Sequence, residues 1–394
     1  MSTLPTTRPD DARPLACLRP RRHGPPPDAG ERTADVVQAE ARGLRCAHLL
    51  GLHADMLGFG GDPTVFACTL RHADGSVAGR GLGAGSTGTA RTGALLEALE
   101  GHAARRRQPG RRAGVPSRAP ARGPAVGAVG GTGIGCTDAE ALLHAVNEAV
   151  ERMAVARFLA AAVPYGPNAG PATVPVLDRA TLPPGLADVV DRTEHRIGAR
   201  VDIAAIEAPV PVFLAYAVTT AGEPPRLGLG TSLSPAFAVR RACRGLLEDT
   251  LPAGTAWGRH PTVVSADAAH MTTVPAGALP PWAAVLPLGE RDGSRYGCTG
   301  RGDGGRAEPM PFVADGAPAS PAAHLRRIVD LLADRGMSLR VATLTDLPAG
   351  LELAHTLLVA PRTPIRSVPR PAPPPPTGAP PATRRVRTGR ESVG

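Results

Sequence analysis

The sequence predicts an α+β fold, and three observations carry that expectation. Helical and extended patterns are mixed along the chain without a strict strand–helix–strand rhythm. Two long stretches, Ala90–Arg106 and Thr137–Leu159, repeat apolar residues at helical spacing, while Thr64–Leu70 is a compact β-branched and apolar run. Aromatic residues make up only 3 % of the chain, so the core has to be built from Ala, Leu and Val.

In chain order, Thr33 to Leu52 reads as a first helix, with Val36, Val37, Ala41, Leu44 and Leu49 at helical spacing. Thr64–Leu70, the turn Ala73-Asp74-Gly75 and Ser76–Ala78 form a hairpin signal. A Gly-rich loop, Gly79 to Gly88, leads into the helix from about Ala90 to Arg106. After a Pro/Gly/Arg-rich stretch, the next helix opens on Thr137 with Glu140 three residues on, a capping box. Strands are expected at Arg200–Ile206 and Val212–Thr219, broken apart by Pro209 and Pro211. Ser234-Pro235 starts a further helix, running to about Asp249. A helix at Ala322–Arg335 and strands at Leu339–Leu344 and His355–Ala360 complete the pattern, and 280–318 reads as irregular.

The formal charge is +9 and the chain contains no lysine. Its basicity is confined to three segments. Residues 101–137 hold Arg105, Arg106, Arg107, Arg111, Arg112, Arg118 and Arg122 with no acid, and the arms before 34 and after 360 are also net positive. The remainder is net acidic. We expect disordered Pro/Arg-rich segments at 1–33, 108–131 and 363–394 around one domain spanning 34–362. Such arms suit an acidic peptide, a polyphosphate or RNA. The scarcity of aromatic side chains for base stacking argues against nucleic acid. Cys17, Cys46, Cys68, Cys136, Cys243 and Cys298 include no C-x-x-C pair, against a zinc site or a disulfide framework. With no long apolar run and no apolar stretch after Arg21-Arg22, a cytoplasmic location is expected.

The chemistry concentrates on two helices. Gly93-Ala-Leu-Leu-Glu97-Ala-Leu-Glu100 and His144-Ala-Val-Asn-Glu148-Ala-Val-Glu151-Arg152 each carry two carboxylates three residues apart, on one face of an apolar helix. Ionised carboxylates in apolar surroundings require a cation or donors. Four of them without a His or Cys cluster suit Mg²⁺, which brings nucleotide phosphates with it. His102 and His144 are at the wrong spacing for a di-iron site. Gly83-x-Gly85-x-x-Gly88 matches a dinucleotide fingerprint but lacks the acid that should end the following strand.

These blocks resemble the YcaO-like family. Gly79-Arg80-Gly81-Leu82-Gly83 before Gly93-x3-Glu97-x2-Glu100 is similar to that family's Gly-Lys-Gly loop and first helix. Thr132-Gly133 through Ala141–Arg152 is similar to its second helix, and Gly230 through Ser234-Pro235 to Arg241 to the start of its third. The resemblance spans roughly 45–360. It implies a fold of mixed or antiparallel sheets packed with helices around a nucleotide cleft. It also implies Mg²⁺-ATP as cofactor and phosphorylation of peptide backbone amides in a ribosomal precursor peptide, in the manner of a cyclodehydratase. The products would be azoline rings, thioamides or amidines. By motif position Glu97, Glu100, Glu148 and Glu151 resemble metal carboxylates, Arg152 and Arg241 phosphate contacts, and Arg80 and His144 further nucleotide-site residues. A separate leader-peptide-binding partner and a homodimer are also expected.

The sequence departs from the family in places. Arg80 stands for lysine, Gly93 for serine, and Gly101 for the basic residue after the second glutamate. The third helix reads Gly245-Leu-Leu-Glu248 where the family has Glu-x2-Gln, leaving Glu248 as the substitute ligand. The alternative is a catalytically degenerate subunit that binds peptide or nucleotide without turnover. Pro369-Arg-Pro371-Ala-Pro373 is similar to the Pro-x-Pro-x-Pro ending of azoline-forming members, but 21 residues follow it.

Overall fold

A computed structural model describes residues 31–106, 128–162, 175–217, 225–253, 255, 257, 309–313 and 316–359. The N-terminal arm up to residue 30, residues 107–127 of the basic loop, and the tail with its Pro369–Pro373 motif lie outside the described residues.

The fold is α+β, as expected, and the described residues build three small antiparallel sheets. Strands β1 (His53–Gly58), β2 (Thr64–Arg71) and β3 (Val77–Gly85) form the first, in that order. Strand β4 (Ala128–Gly135) pairs with β9 (Leu351–Val359), which pairs in turn with β8 (Ser338–Leu347). The third sheet is β5 (Asp202–Ile206), β6 (Val212–Ala217) and β7 (Arg226–Thr231). The middle strands β2 and β6 are buried almost throughout, which is why they read as continuous apolar runs.

A glycine-rich edge strand of each sheet packs under a helix. Helix α2 (Thr87–Arg106) lies on β3, α3 (Asp138–Ala162) on β4, and α5 (Pro235–Thr250) on β7. Each helix also touches the next unit's glycine-rich strand: α2 meets β4, α3 meets β7, and α5 meets β3. The three strand–helix units therefore follow one another in a ring. Around it sit α1 (Val36–Leu49) on α2, α4 (Pro184–Ile197) on α5, and α6 (Pro321–Ala333) on α3.

Local chemistry starts these helices where the sequence places them. Asp35 caps α1 by accepting the Gln38 N–H, and Ser234 caps α5 through Phe237 N. At α3, Thr137 Oγ1 accepts the Glu140 N–H. The Glu140 carboxylate does not return to Thr137 as a capping box would; it takes the Cys136 N–H instead. Helix α4 had no counterpart in the sequence reading, although its signals are ordinary. Pro184 sits in its first turn, Leu186 and Val190 are buried, and Gly198 closes it at φ 70°.

Two expectations need correction. Gly79–Gly85, expected as a loop, belongs to a strand, and the equally glycine-rich Gly130–Gly135 is a strand too. Glycine is a poor strand former in isolation, but here the helix backbone lies where side chains would stand. The boundaries of two expected disordered segments also shift. Residues 128–131 belong to β4, and Glu31–Thr33 are ordered by buried polar contacts. Glu31 accepts from the buried Ser232 hydroxyl, while Arg32 Nη1 (3.1 Å) and Thr33 Oγ1 (2.7 Å) donate to Glu140.

Candidate functional site

The site grows out of the glycine stripes. A Cβ on Gly81 would lie 2.3 Å from Ala94 O, one on Gly133 2.5 Å from Ala141 O, and one on Gly230 2.0 Å from Ala238 O. No side chain fits at such separations, so each helix rests directly on strand backbone. The contacts also fix a common register. The side chains crossing over these three glycines are Glu97, His144 and Arg241, equivalent places in the three units.

Among the described residues, strands β3, β4 and β7 each have a strand partner on one side only. An edge strand turns half of its main-chain groups away from its sheet, and those groups require other partners. The helices supply them. Leu82 N donates to Glu97 Oε2 at 2.9 Å, Thr132 N to Glu148 Oε2 at 2.6 Å, and Leu227 N to Asp249 Oδ2 at 3.2 Å. On β4 the pattern continues along the edge. Arg152 Nη1 donates to Gly130 O at 2.9 Å, and its Nη2 pairs with Glu148 Oε1 at 2.6 Å. Glu100 from α2 lies near enough to Glu148 and Arg152 to feel both charges, so three of the expected site residues gather at this strand edge.

The electrostatics follow from this crowding. Burial first, then the neighbouring Glu148 and Glu97, hold the Glu100 carboxyl well above the usual carboxylate range. Glu151 is raised for the same first reason and by Glu148, with Arg241 and Arg152 opposing. Its Oε2 is buried with no hydrogen-bond partner among the described residues. Desolvation, then the charges of Arg241 and Arg32, push His144 down to about 3, so its imidazole is neutral at physiological pH. A half-buried group of carboxylates with one buried, orphaned oxygen is a setting that a cation relieves. The donor set, oxygen only and flanked by arginines, fits Mg²⁺ carrying phosphates. Among the described residues no three His, Cys, Asp or Glu side chains are gathered as a ready-made ligand group. Glu97 and Glu148 are turned toward strand amides instead.

Two expected residues fall elsewhere. Arg80 is exposed, with its guanidinium 5.3 Å from the Trp257 ring centroid, on the face of β3 opposite the helix-packed glycines. Glu248 is half-buried on α5, equivalent in register to Glu151. One turn before it, Gly245 has a steric reason. A Cβ there would stand 3.1 Å from Gly228 Cα and 3.2 Å from Leu229 N. The sequence reading missed Asn147, fully buried with both amide atoms unpartnered among the described residues. A polar residue inside an otherwise apolar helical stripe was the available signal. It also missed Arg32, which acts on His144 from outside the helices. A surface depression of about 440 Å³ lined by Arg179, Glu194, His195 and Arg200 contains none of the expected residues.

Comparison with known proteins bears on the family and the fold. A family model described as YcaO cyclodehydratase, ATP- and Mg²⁺-binding, matches residues 112–358, a span that begins after Glu97 and Glu100. No curated protein sequence matches. Among solved structures, a heterocyclase in complex with substrate and cofactor superposes with a TM-score of 0.55 at 14 % identity, over 84 % of this chain and 53 % of that one. The present chain therefore spans about half that protein's length. YcaO from Methanopyrus kandleri, bound with AMPPCP and Mg²⁺, superposes with a TM-score of 0.52 at 16 % identity, over 83 % of this chain and 91 % of that one. These likenesses concern the fold. With the family model covering more than half of its length, the chain belongs to the YcaO family of ATP- and Mg²⁺-binding cyclodehydratases.

Proposed function

We propose that this chain uses Mg²⁺-ATP to activate peptide backbone amides by O-phosphorylation in a ribosomally made precursor peptide. A nucleophile adds to the amide carbon, the γ-phosphoryl group passes to the amide oxygen, and phosphate then departs with that oxygen. What supports the reading is the approach of Glu100, which neighbours Glu97 on one helix, to Glu148 and its ion-pair partner Arg152 on another, beside the edge of β4. Glu151 and Arg241 extend the same constellation toward the third unit.

In this reading Glu97, Glu100, Glu148 and Glu151 hold the metal, which when bound offsets phosphate charge. Arg152 and Arg241 orient and neutralise the phosphates, a role suited to fixed guanidinium groups. Neutral His144 contributes a polar contact without adding charge. Arg80 and Glu248 remain candidate nucleotide-site residues only if nucleotide binding draws them in. The precursor peptide would be presented by a separate leader-binding protein, the chain would act in the cytoplasm, and it would pair as a homodimer. No helix among the described residues is long and apolar enough to cross a membrane.

The test is Mg²⁺-dependent ADP release in the presence of the precursor peptide, coupled to a mass change in that peptide. A protein that binds Mg²⁺-AMPPCP yet releases no ADP supports the second reading, a degenerate binding subunit. The observation favouring that alternative is Gly245, which brings no carboxylate from the third unit.

A further inference from the structure

Just before α1 the chain carries a polar strap, Glu31-Arg32-Thr33, that crosses between the second and third strand–helix units. Glu31 is buried, and its carboxylate accepts from the buried Ser232 hydroxyl, which in turn accepts the Ser234 N–H at 2.9 Å. Buried His324 of α6 brings Nδ1 to 3.8 Å from Glu31 Oε1, while its Nε2–H donates to Pro318 O at 2.8 Å. Arg32 Nη1 and Thr33 Oγ1 both donate to the buried Glu140 carboxylate, at 3.1 and 2.7 Å. Every one of these contacts is polar. Apolar anchoring begins only at Ala34, which packs against the core between α1 and α2, and Asp35 then caps α1.

Buried polar and ionic contacts come close to breaking even against the water they replace, so three polar residues give the strap little hold. The groups that receive it are held firmly. Ser232 adjoins Leu233, Glu140 precedes Leu143 on α3, and His324 lies one turn before Ile328, and all three of those apolar neighbours belong to one core. We infer that Ser232, His324 and Glu140 form a receptor for an acidic peptide segment, which Glu31 to Thr33 occupy in cis as an exchangeable strap. Withdrawing Glu31 would leave the buried Ser232 hydroxyl with an unpaired proton, and a carboxylate from another chain would restore that bond. A simple anion could serve Ser232 but brings no donors for Glu140. The receptor therefore calls for an acid followed by donor-bearing side chains, as a peptide can supply. The inference goes beyond the ATP-dependent reading and does not require turnover. Arg32 lies near enough to His144 for its charge to be felt there, so exchange of the strap would be sensed beside the carboxylate helices.

The experiment uses the full chain and the probe N-acetyl-Glu-Arg-Thr-Ala amide, which repeats residues 31–34. Glu31→Ala vacates the carboxylate pocket, so this variant should bind the probe about tenfold more tightly than wild type does. A second probe with Gln in the first place should bind the variant about tenfold more weakly, and adding Ser232→Ala should abolish that preference. Equal affinities for the two probes, a preference that survives Ser232→Ala, equal binding by variant and wild type, or no binding to the folded variant would overturn the receptor. Should Glu31→Ala fail to fold, wild type decides. Its deuterium uptake across residues 31–35 should rise with a millimolar excess of the Glu probe and not with the Gln probe. Uptake that ignores both probes, or answers equally to both, overturns the inference. Neither measurement involves ADP release, so failure here leaves the ATP-dependent reading standing.

Discussion

The second and third strand–helix units share a scaffold and differ in chemistry. In both, glycines bring the helix onto its strand: a Cβ on Gly131 would meet Ala145 O at 1.9 Å, and one on Gly228 would meet Leu246 N at 2.0 Å. In both, a helix carboxylate returns to a strand amide, Glu148 to Thr132 N and Asp249 to Leu227 N. Yet the position that carries Glu148 in the second unit carries Gly245 in the third, and the third unit's capping carboxylate sits one turn later. Close packing is a requirement of the fold and is kept in both units. Carboxylates facing a cation serve the chemistry and can be lost from one unit while the scaffold stands.

The largest effects should fall on the shared part. Gly131→Ala and Gly228→Ala each drive a methyl group into helix backbone, which has no rotamer to yield. Each should lose about 3 kcal/mol or more of stability by urea unfolding, and a milder result in the third unit would mean its helix is less tightly seated. Glu148→Gln tests what is particular to the second unit. The amide oxygen still accepts from Thr132 N, while the half-exposed ion pair with Arg152 is lost, so stability should fall by no more than about 1 kcal/mol. ADP release should drop on the order of 100-fold through loss of a charged ligand, and undiminished turnover would remove Glu148 from the site.

Gly245→Glu is the reciprocal change. Its Cβ enters a gap of 3.1 Å against Gly228 Cα, so about 1–3 kcal/mol of stability should be lost with no gain in ADP release. A gain would instead identify the natural protein as the degenerate form. The pH dependence sharpens the role of burial. His144 stays neutral in the folded chain down to about 3, whereas in the unfolded chain it takes a proton near 6.5. Its contribution therefore fades as pH falls below about 6.5, and His144→Gln should flatten the acid side of a stability profile. Glu100 and Glu151 act oppositely. Their raised folded values mean stability is lost as pH rises through them, and a cation that favours their ionised forms should bind with proton release that grows as pH falls. Calorimetry in buffers of different ionisation enthalpy would detect that release. Arg80→Ala should do least, removing an exposed contact with Trp257 worth about 0.5 kcal/mol. A loss of nucleotide affinity matching that of Arg152→Ala would bring Arg80 back into the site.

Much of the site was legible because helices announce their faces. Glu97 with Glu100 and Glu148 with Glu151 could be placed on one side of apolar helices by spacing alone, and the caps at Ser234 and Thr137 fixed where α5 and α3 begin. The glycine-rich strands were not legible. Gly79–Gly85 and Gly130–Gly135 have the composition of loops, and what makes them strands is a helix that no local pattern reveals. Arg32 and Glu31 were hidden for a related reason, since their partners Glu140 and Ser232 lie 108 and 201 residues away.

By itself, then, the sequence determined the α+β class, the helix faces and the pairing of carboxylates on each, because those depend on residues within a turn or two of one another. Tertiary structure alone decided that three helices settle onto three edge strands in a ring, that Arg80 faces Trp257, and that the glutamates rest on main-chain amides. Those outcomes depend on which backbone groups are left unpaired when separate sheets meet, and that is fixed only when distant segments pack.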